Sequence, residues 1–80
     1  SQVLAACVRV DLFAIVNEGP ATAGALAART GLPPESMLTL LRAAASLQLI
    51  EPRSGGTWGL GKLGAAVIAT PGIAAMVEHH

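Results

Sequence analysis

The sequence has 80 residues, 52% of them hydrophobic and 12% charged, with five basic and five acidic side chains and a formal charge of zero. That bounds the chain to one domain, too apolar to be disordered and without the positive field that nucleic acid or an anionic membrane surface requires. A domain of this size buries only about 60–65% of its unfolded surface, so apolar faces left over predict a partner. The single cysteine, Cys7, has no internal disulfide partner, which predicts a reducing, cytoplasmic setting. The longest apolar run, Val3 to Val16, is interrupted by Arg9 and Asp11 and is too short to span a bilayer. The chain starts without Met and stops on Glu78-His79-His80, so a piece of a longer protein is expected, with His79 and His80 either native or the start of a purification tag.

Residues Val3 to Glu18 suit one helix, stopped by Gly19-Pro20. Leu4, Ala5, Val8, Leu12, Ile15 and Val16 form its apolar stripe, and Val3, Cys7, Val10, Phe13 and Ala14 extend that stripe around most of the helix. Such a helix needs cover on more than one side. Thr22 is placed to cap a short Ala-rich helix, Ala23 to Arg29, and Gly31 suits the left-handed position after it. Pro33-Pro34 opens a third helix that runs to about Leu47, with Met37, Leu38, Leu41, Ala44 and Ala45 on one face. Two short extended segments, around Leu49–Arg53 and Thr57–Leu60, flank Ser54-Gly55-Gly56 and read as a hairpin. Pro52 is tolerable in it because a two-stranded ribbon is all edge. Lys62 to Ala69 is a short helix, and a last one starts near Gly72, after Pro71. The predicted fold is therefore mostly α: a winged helix over residues 1–80, built from a helix-turn-helix bundle and a short two-stranded β-hairpin wing.

The stretch Gly59-Leu60-Gly61-Lys62-Leu63-Gly64 fits a G-x-G-x-x-G fingerprint, and Gly56 to Lys62 fits a P-loop up to its lysine. Both lack their context. No buried strand of a βαβ unit precedes the glycines, and Leu63 stands where a P-loop has its magnesium-holding Ser or Thr. The plainer reading is structural: Gly55 and Gly56 turn the hairpin, Gly59 and Gly61 shape its exit, and Gly64 allows close packing of the next helix.

A winged helix suggests DNA binding, its third helix entering the major groove. The polar face of that helix is Glu35, Thr39, Arg42 and Ser46, with one cation. Groove readers bring several. A DNA-binding transcription regulator remains the alternative if Arg29, Arg42, Arg53 and Lys62 converge in space. The apolar first helix and Ile73-Ala74-Ala75-Met76-Val77 point instead to a protein partner, most simply a second copy. The dimer-interface candidates are Leu4, Val8, Leu12 and Ile15, with Ile73 and Met76 second. No paired carboxylates or metal-ligand spacing occur, so no catalytic, cofactor or metal residue is assigned. Cys7 has no basic partner and reads as core, and Trp58 reads as cover for the core beside the wing.

The order Leu12-Phe13, Gly19-Pro20-Ala21-Thr22-Ala23, Leu26-Ala27-Ala28-Arg29-Thr30-Gly31-Leu32, Leu40-Leu41-Arg42-Ala43, Leu47-Gln48-Leu49-Ile50-Glu51, Trp58-Gly59-Leu60, Leu63-Gly64 and Pro71–Val77 resembles the N-terminal domain of S-adenosylmethionine-dependent small-molecule O-methyltransferases. The resemblance covers nearly the whole chain. It implies a winged helix that binds no DNA, makes an intertwined homodimer and helps close a small-molecule pocket. It also implies a separate C-terminal catalytic domain, outside these 80 residues, that binds S-adenosylmethionine and carries a histidine base. Two positions depart from the family pattern. Gly61 stands where a helix-capping Thr or Ser is usual. Gln48 stands where Gly is usual, and a side chain at a left-handed position is strained.

Overall fold

A computed structural model describes residues 1–70 and 72. Ile73, Met76 and the predicted last helix lie outside the described residues. The first helix is not continuous. It divides into α1 (Gln2–Arg9) and α2 (Leu12–Asn17). Between them Asp11 takes φ 62°, ψ 34°, a left-handed conformation that no helix interior accepts. The physical reason lies in the apolar pattern. A straight helix apolar on most sides would have left one of them uncovered. The break lets α1 bury Cys7 while α2 turns to bury Leu12, Phe13 and Val16. The Ser1 hydroxyl caps α1, accepting from the Leu4 amide at 3.3 Å.

β1 (Ala21–Thr22) leads directly into α3 (Ala23–Thr30), whose first turn is capped by Thr22, the hydroxyl accepting from Ala25 N–H at 3.2 Å. Gly31, at φ 79°, ends α3 in the left-handed position expected of it. α4 (Pro34–Ser46) follows with proline in its first turn and packs on α3 to form the helix-turn-helix. Of the predicted α4 face, Met37, Leu41 and Ala44 are fully buried and Leu38 and Ala45 half-buried. Met37, Leu41 and Ala44 join Cys7, Leu12, Phe13, Val16, Leu26 and Ile50 in one core.

The sheet has three strands, not two. β2 (Ile50–Pro52) and β3 (Thr57–Leu60) form the wing, and β1 pairs with the other side of β3, giving the antiparallel order β1-β3-β2. The added strand puts Ala21 opposite Trp58 and Thr22 opposite Thr57. A two-residue strand carries no alternation of its own, so no pattern announces it. Pro52 still lies on an edge strand. A single 3-10 turn, Ser54–Gly56, closes the wing with Gly55 and Gly56 at φ 71° and 72°. Arg53 ties the wing together. Its Nη2 donates to the Leu60 carbonyl at 2.9 Å, and its Nε pairs with Glu51 at 2.9 Å.

α4 ends in a Schellman turn. Gln48 N–H donates to the Ala45 carbonyl at 3.1 Å and Leu49 N–H to the Ala44 carbonyl at 3.0 Å, with Gln48 at φ 61°. Gln48 takes the left-handed conformation that the family's usual glycine would favour, so the turn is kept rather than changed by the departure. The turn's own carbonyls then receive α5 (Lys62–Ala69). Gly61 N–H donates to Leu49 at 3.0 Å, and Leu63 N–H donates to Gln48 at 2.9 Å. Gly61 and Gly64 are both buried here. A Cβ on Gly61 would overlap the Gln48 carbonyl oxygen, and one on Gly64 would overlap that of Leu49. The departure at Gly61 is therefore a fit to this turn.

Two expectations follow, both read by urea unfolding. Gln48→Gly stabilises by about 0.5–1 kcal/mol, since relief of a left-handed side chain (~1–2 kcal/mol) exceeds the flexibility that glycine adds (~0.5–1 kcal/mol). Gly64→Ala destabilises by about 1–3 kcal/mol through overpacking, despite alanine's better helix propensity. A third concerns the exposed pair between α2 and α3, in which Arg29 donates from Nη1 and Nη2 to both Glu18 carboxylate oxygens at 3.3 Å. Those hydrogen bonds, and the charge of Arg29, hold the Glu18 carboxyl below its ordinary value. A depressed carboxyl supplies its stabilisation above the unfolded-state value and loses it as pH falls through the folded one. In an NMR titration, Arg29→Ala should return Glu18 upward to the usual carboxylate range. An unchanged midpoint would mean the pair does not persist in solution.

Candidate dimer interface

The glycine-rich stretch forms no ligand loop. Thr57 to Leu60 is the central strand of the sheet, and Gly59 is buried. Two amides at the start of α5, those of Gly61 and Leu63, are already donated to Leu49 and Gln48. A phosphate at a helix N-terminus needs such groups free. The chain thus occupies two amides of its own helix end with its own carbonyls.

No other reactive centre appears among the described residues. No three of their His, Cys, Asp and Glu side chains gather as a metal site requires. Burial pushes the Cys7 thiol up to about 11, against a smaller opposing effect of a backbone hydrogen bond. A thiol held protonated within the core is inert, which agrees with its reading as packing. Trp58 is half-buried against the core, as expected of it.

The cations that a DNA reader would need are partly committed elsewhere. Arg29 is engaged with Glu18, and Arg53 holds Glu51 and the Leu60 carbonyl. On the outer face of α4, Glu35, Thr39, Arg42 and Ser46 are all exposed, with Arg42 the one cation among the four. Ser46 donates its hydroxyl to the Ala43 carbonyl at 2.6 Å. This face offers a groove little to hold phosphates with.

The structure separates the dimer-interface candidates. Leu4, Val8 and Ile15 are half-buried on the surface of the core. Leu12 is 0% exposed and lies inside the core of its own protomer, because the break at Asp11 turns α2 inward. In this conformation it has no surface to offer a partner. Val8 borders a groove of about 510 Å³ between α1–α2 and α5. Ile15 borders a smaller one, about 380 Å³, beside the Glu18–Arg29 pair. A third, of about 510 Å³, runs between α1 and α4 past Val3, Ala6, Leu40 and Ala43.

Among the described residues, the large apolar side chains left exposed are Leu47 at 42%, Leu63 at 47% and Ile68 at 38%. None belongs to α1 or α2. Two belong to α5, which the sequence reading passed over. The signal was present: past Lys62, residues 63–69 carry neither charge nor polar side chain.

Comparison with known proteins bears on the family and the fold. The family model for the O-methyltransferase dimerisation domain matches residues 1–70. The demethylspheroidene O-methyltransferase of Cereibacter sphaeroides is 50% identical over all 80 residues, which make up 21% of that protein. Its counterpart in Rhodobacter capsulatus is 42% identical over the same 80 residues, 20% of its length. The chain thus spans about a fifth of the length of these curated relatives. Among solved structures, the S-adenosylmethionine-dependent methyltransferase SibL superposes with a TM-score of 0.87 at 27% identity, over 98% of this chain and 24% of that one. None of these likenesses supports the DNA-reading alternative. With its family match running from the first residue through the last helix described, this chain belongs to the O-methyltransferase dimerisation domain family.

Proposed function

We propose that this chain is the dimerisation module of an S-adenosylmethionine-dependent O-methyltransferase acting on a small-molecule hydroxyl. The observation that carries the reading is the family match over residues 1–70, together with 50% identity over the whole chain to a demethylspheroidene O-methyltransferase. Demethylspheroidene is accordingly the first methyl acceptor to test. Two copies pair through apolar surface on this domain, to which Leu4, Val8 and Ile15 of the half-buried outer layer contribute. Ile73 and Met76 extend that surface in the same reading.

The described residues do not suit S-adenosylmethionine. The one Gly-rich entry to a helix among the described residues is closed by the Gln48 and Leu49 carbonyls. Cofactor and base are assigned to a C-terminal catalytic domain of the same polypeptide. The contribution of this domain is positional: it holds two catalytic domains at a fixed spacing and helps close the acceptor pocket. No described helix is long and apolar enough to cross a membrane, and we take the enzyme to act in the cytoplasm.

The test pairs the full-length protein with demethylspheroidene and methyl-labelled S-adenosylmethionine. Labelled ether product is expected from the full-length protein and none from the 80-residue chain, while both sediment as dimers. A monomeric full-length protein would overturn the dimerisation role. A dimer that methylates other hydroxyls but leaves demethylspheroidene untouched would overturn only the acceptor.

A further inference from the structure

Asp11 is one of two non-glycine residues in this chain with a left-handed backbone, the other being Gln48 in its Schellman turn. Such a conformation costs an L-residue energy that a helical one does not. The Asp11 side chain caps nothing in return. The amides of Leu12, Phe13 and Ala14, which open α2, have no acceptor among the described residues. In one continuous helix those three amides would donate to the carbonyls of Val8, Arg9 and Val10. The apolar period of the sequence runs through Asp11 without a break, so a straight helix from Gln2 to Asn17 is a second arrangement that the same residues can take.

The two sides of the break are held very differently. α2 is anchored, with Leu12, Phe13 and Val16 all buried. α1 packs on α4 and α2, yet only Cys7 of its residues is fully buried, while Val3, Leu4 and Val8 are half-buried. Grooves of about 510 Å³ flank it on two sides. One lies toward α4, past Val3 and Ala6, and the other toward α5, past Cys7 and Val8. Few buried apolar contacts mark a segment of low local stability. Straightening at Asp11 would give up the burial of Cys7 and its half-buried neighbours. It would gain three backbone hydrogen bonds and a relaxed Asp11, so the terms oppose one another.

We propose that Asp11 is a hinge and α1 an arm, which swings off α4 as a unit while α2 stays in the core. Hinges are single positions that absorb a large backbone change between two packed elements. The open form uncovers Cys7 and the α4 surface beneath the arm, and it joins the two grooves that α1 keeps apart. The opening takes place within one chain and needs neither a second copy nor a methyl acceptor. Cys7 reports it directly. Burial holds its thiol protonated in the closed form, so an alkylating reagent captures it from the open one.

The test alkylates the full-length protein with N-ethylmaleimide and follows the Cys7 peptide by mass spectrometry, with and without urea below the unfolding transition. Amide exchange of the α4 core, Met37 to Ala44, measures global unfolding in the same samples. Cys7 should open about tenfold more often than the α4 core, and its rate should barely rise with urea, because a local opening exposes little surface. Asp11→Gly relaxes the left-handed position and weakens a straight helix, and should slow alkylation about threefold or more. Asp11→Ala does the reverse and should speed it by about as much. Should Asp11→Ala fail to fold by circular dichroism, Asp11→Gly decides alone. A Cys7 rate that matches global unfolding and climbs as steeply with urea overturns the proposal. So does a rate that Asp11→Gly leaves unchanged or raises.

Discussion

The turn at Gln48 and Leu49 fixes the relation between the helical half of this domain and its wing. One short segment ends α4 in a Schellman turn, directs Ile50 into β2 and presents two carbonyls to the start of α5. The hairpin leaves from this turn and returns to it, which sets Ile50 opposite Leu60. The return is possible only because Gly61 and Gly64 let α5 approach the carbonyls that receive it. The same glycines that imitate a nucleotide fingerprint are therefore spacers for a backbone-to-backbone contact. A helix start with two of its amides donated internally has fewer left with which to hold an anion.

The division of the first helix decides where apolar surface remains. A straight helix would have required a partner along its length. Asp11 removes that requirement by sending Leu12, Phe13 and Val16 into the core in a second direction. Among the described residues, the large apolar side chains left exposed are Leu47, at the C-cap of α4, and Leu63 and Ile68 of α5. The family match supports the partner that composition calls for. Total apolar content is set by sequence, whereas its partition between core and surface is set by backbone turns.

Much of the fold was legible because local chemistry announced it. Thr22 as a cap, Gly31 and the Gly55-Gly56 pair as left-handed turns, and Pro34 at the opening of α4 each satisfy a steric or hydrogen-bonding need visible at a single position. The break at Asp11 was not legible, since aspartate in a left-handed conformation is uncommon and the apolar period runs through it undisturbed. β1 was invisible for a different reason: its pairing with Trp58 and Thr57 is a long-range event that two residues cannot encode. Of the seam candidates, the structure separates surface from core. Val8 borders a groove as its position on the stripe suggested, but Leu12, on the same stripe, does not reach the surface. The exposure of Leu63 and Ile68 follows from which face of α5 the glycines press inward, and that is known only once the Gln48 turn is placed.

The sheet bears on how the domain can associate at all. Its outer strands are β1, only two residues long, and β2, which ends in Pro52. Short edges and prolines are poor templates for adding a further strand. A small apolar domain with a long open sheet edge would be at risk of stacking without limit, one copy templating the next. Here strand-to-strand growth has almost no purchase, so stickiness is confined to helical faces, where a two-fold contact consumes both surfaces at once and stops at a pair.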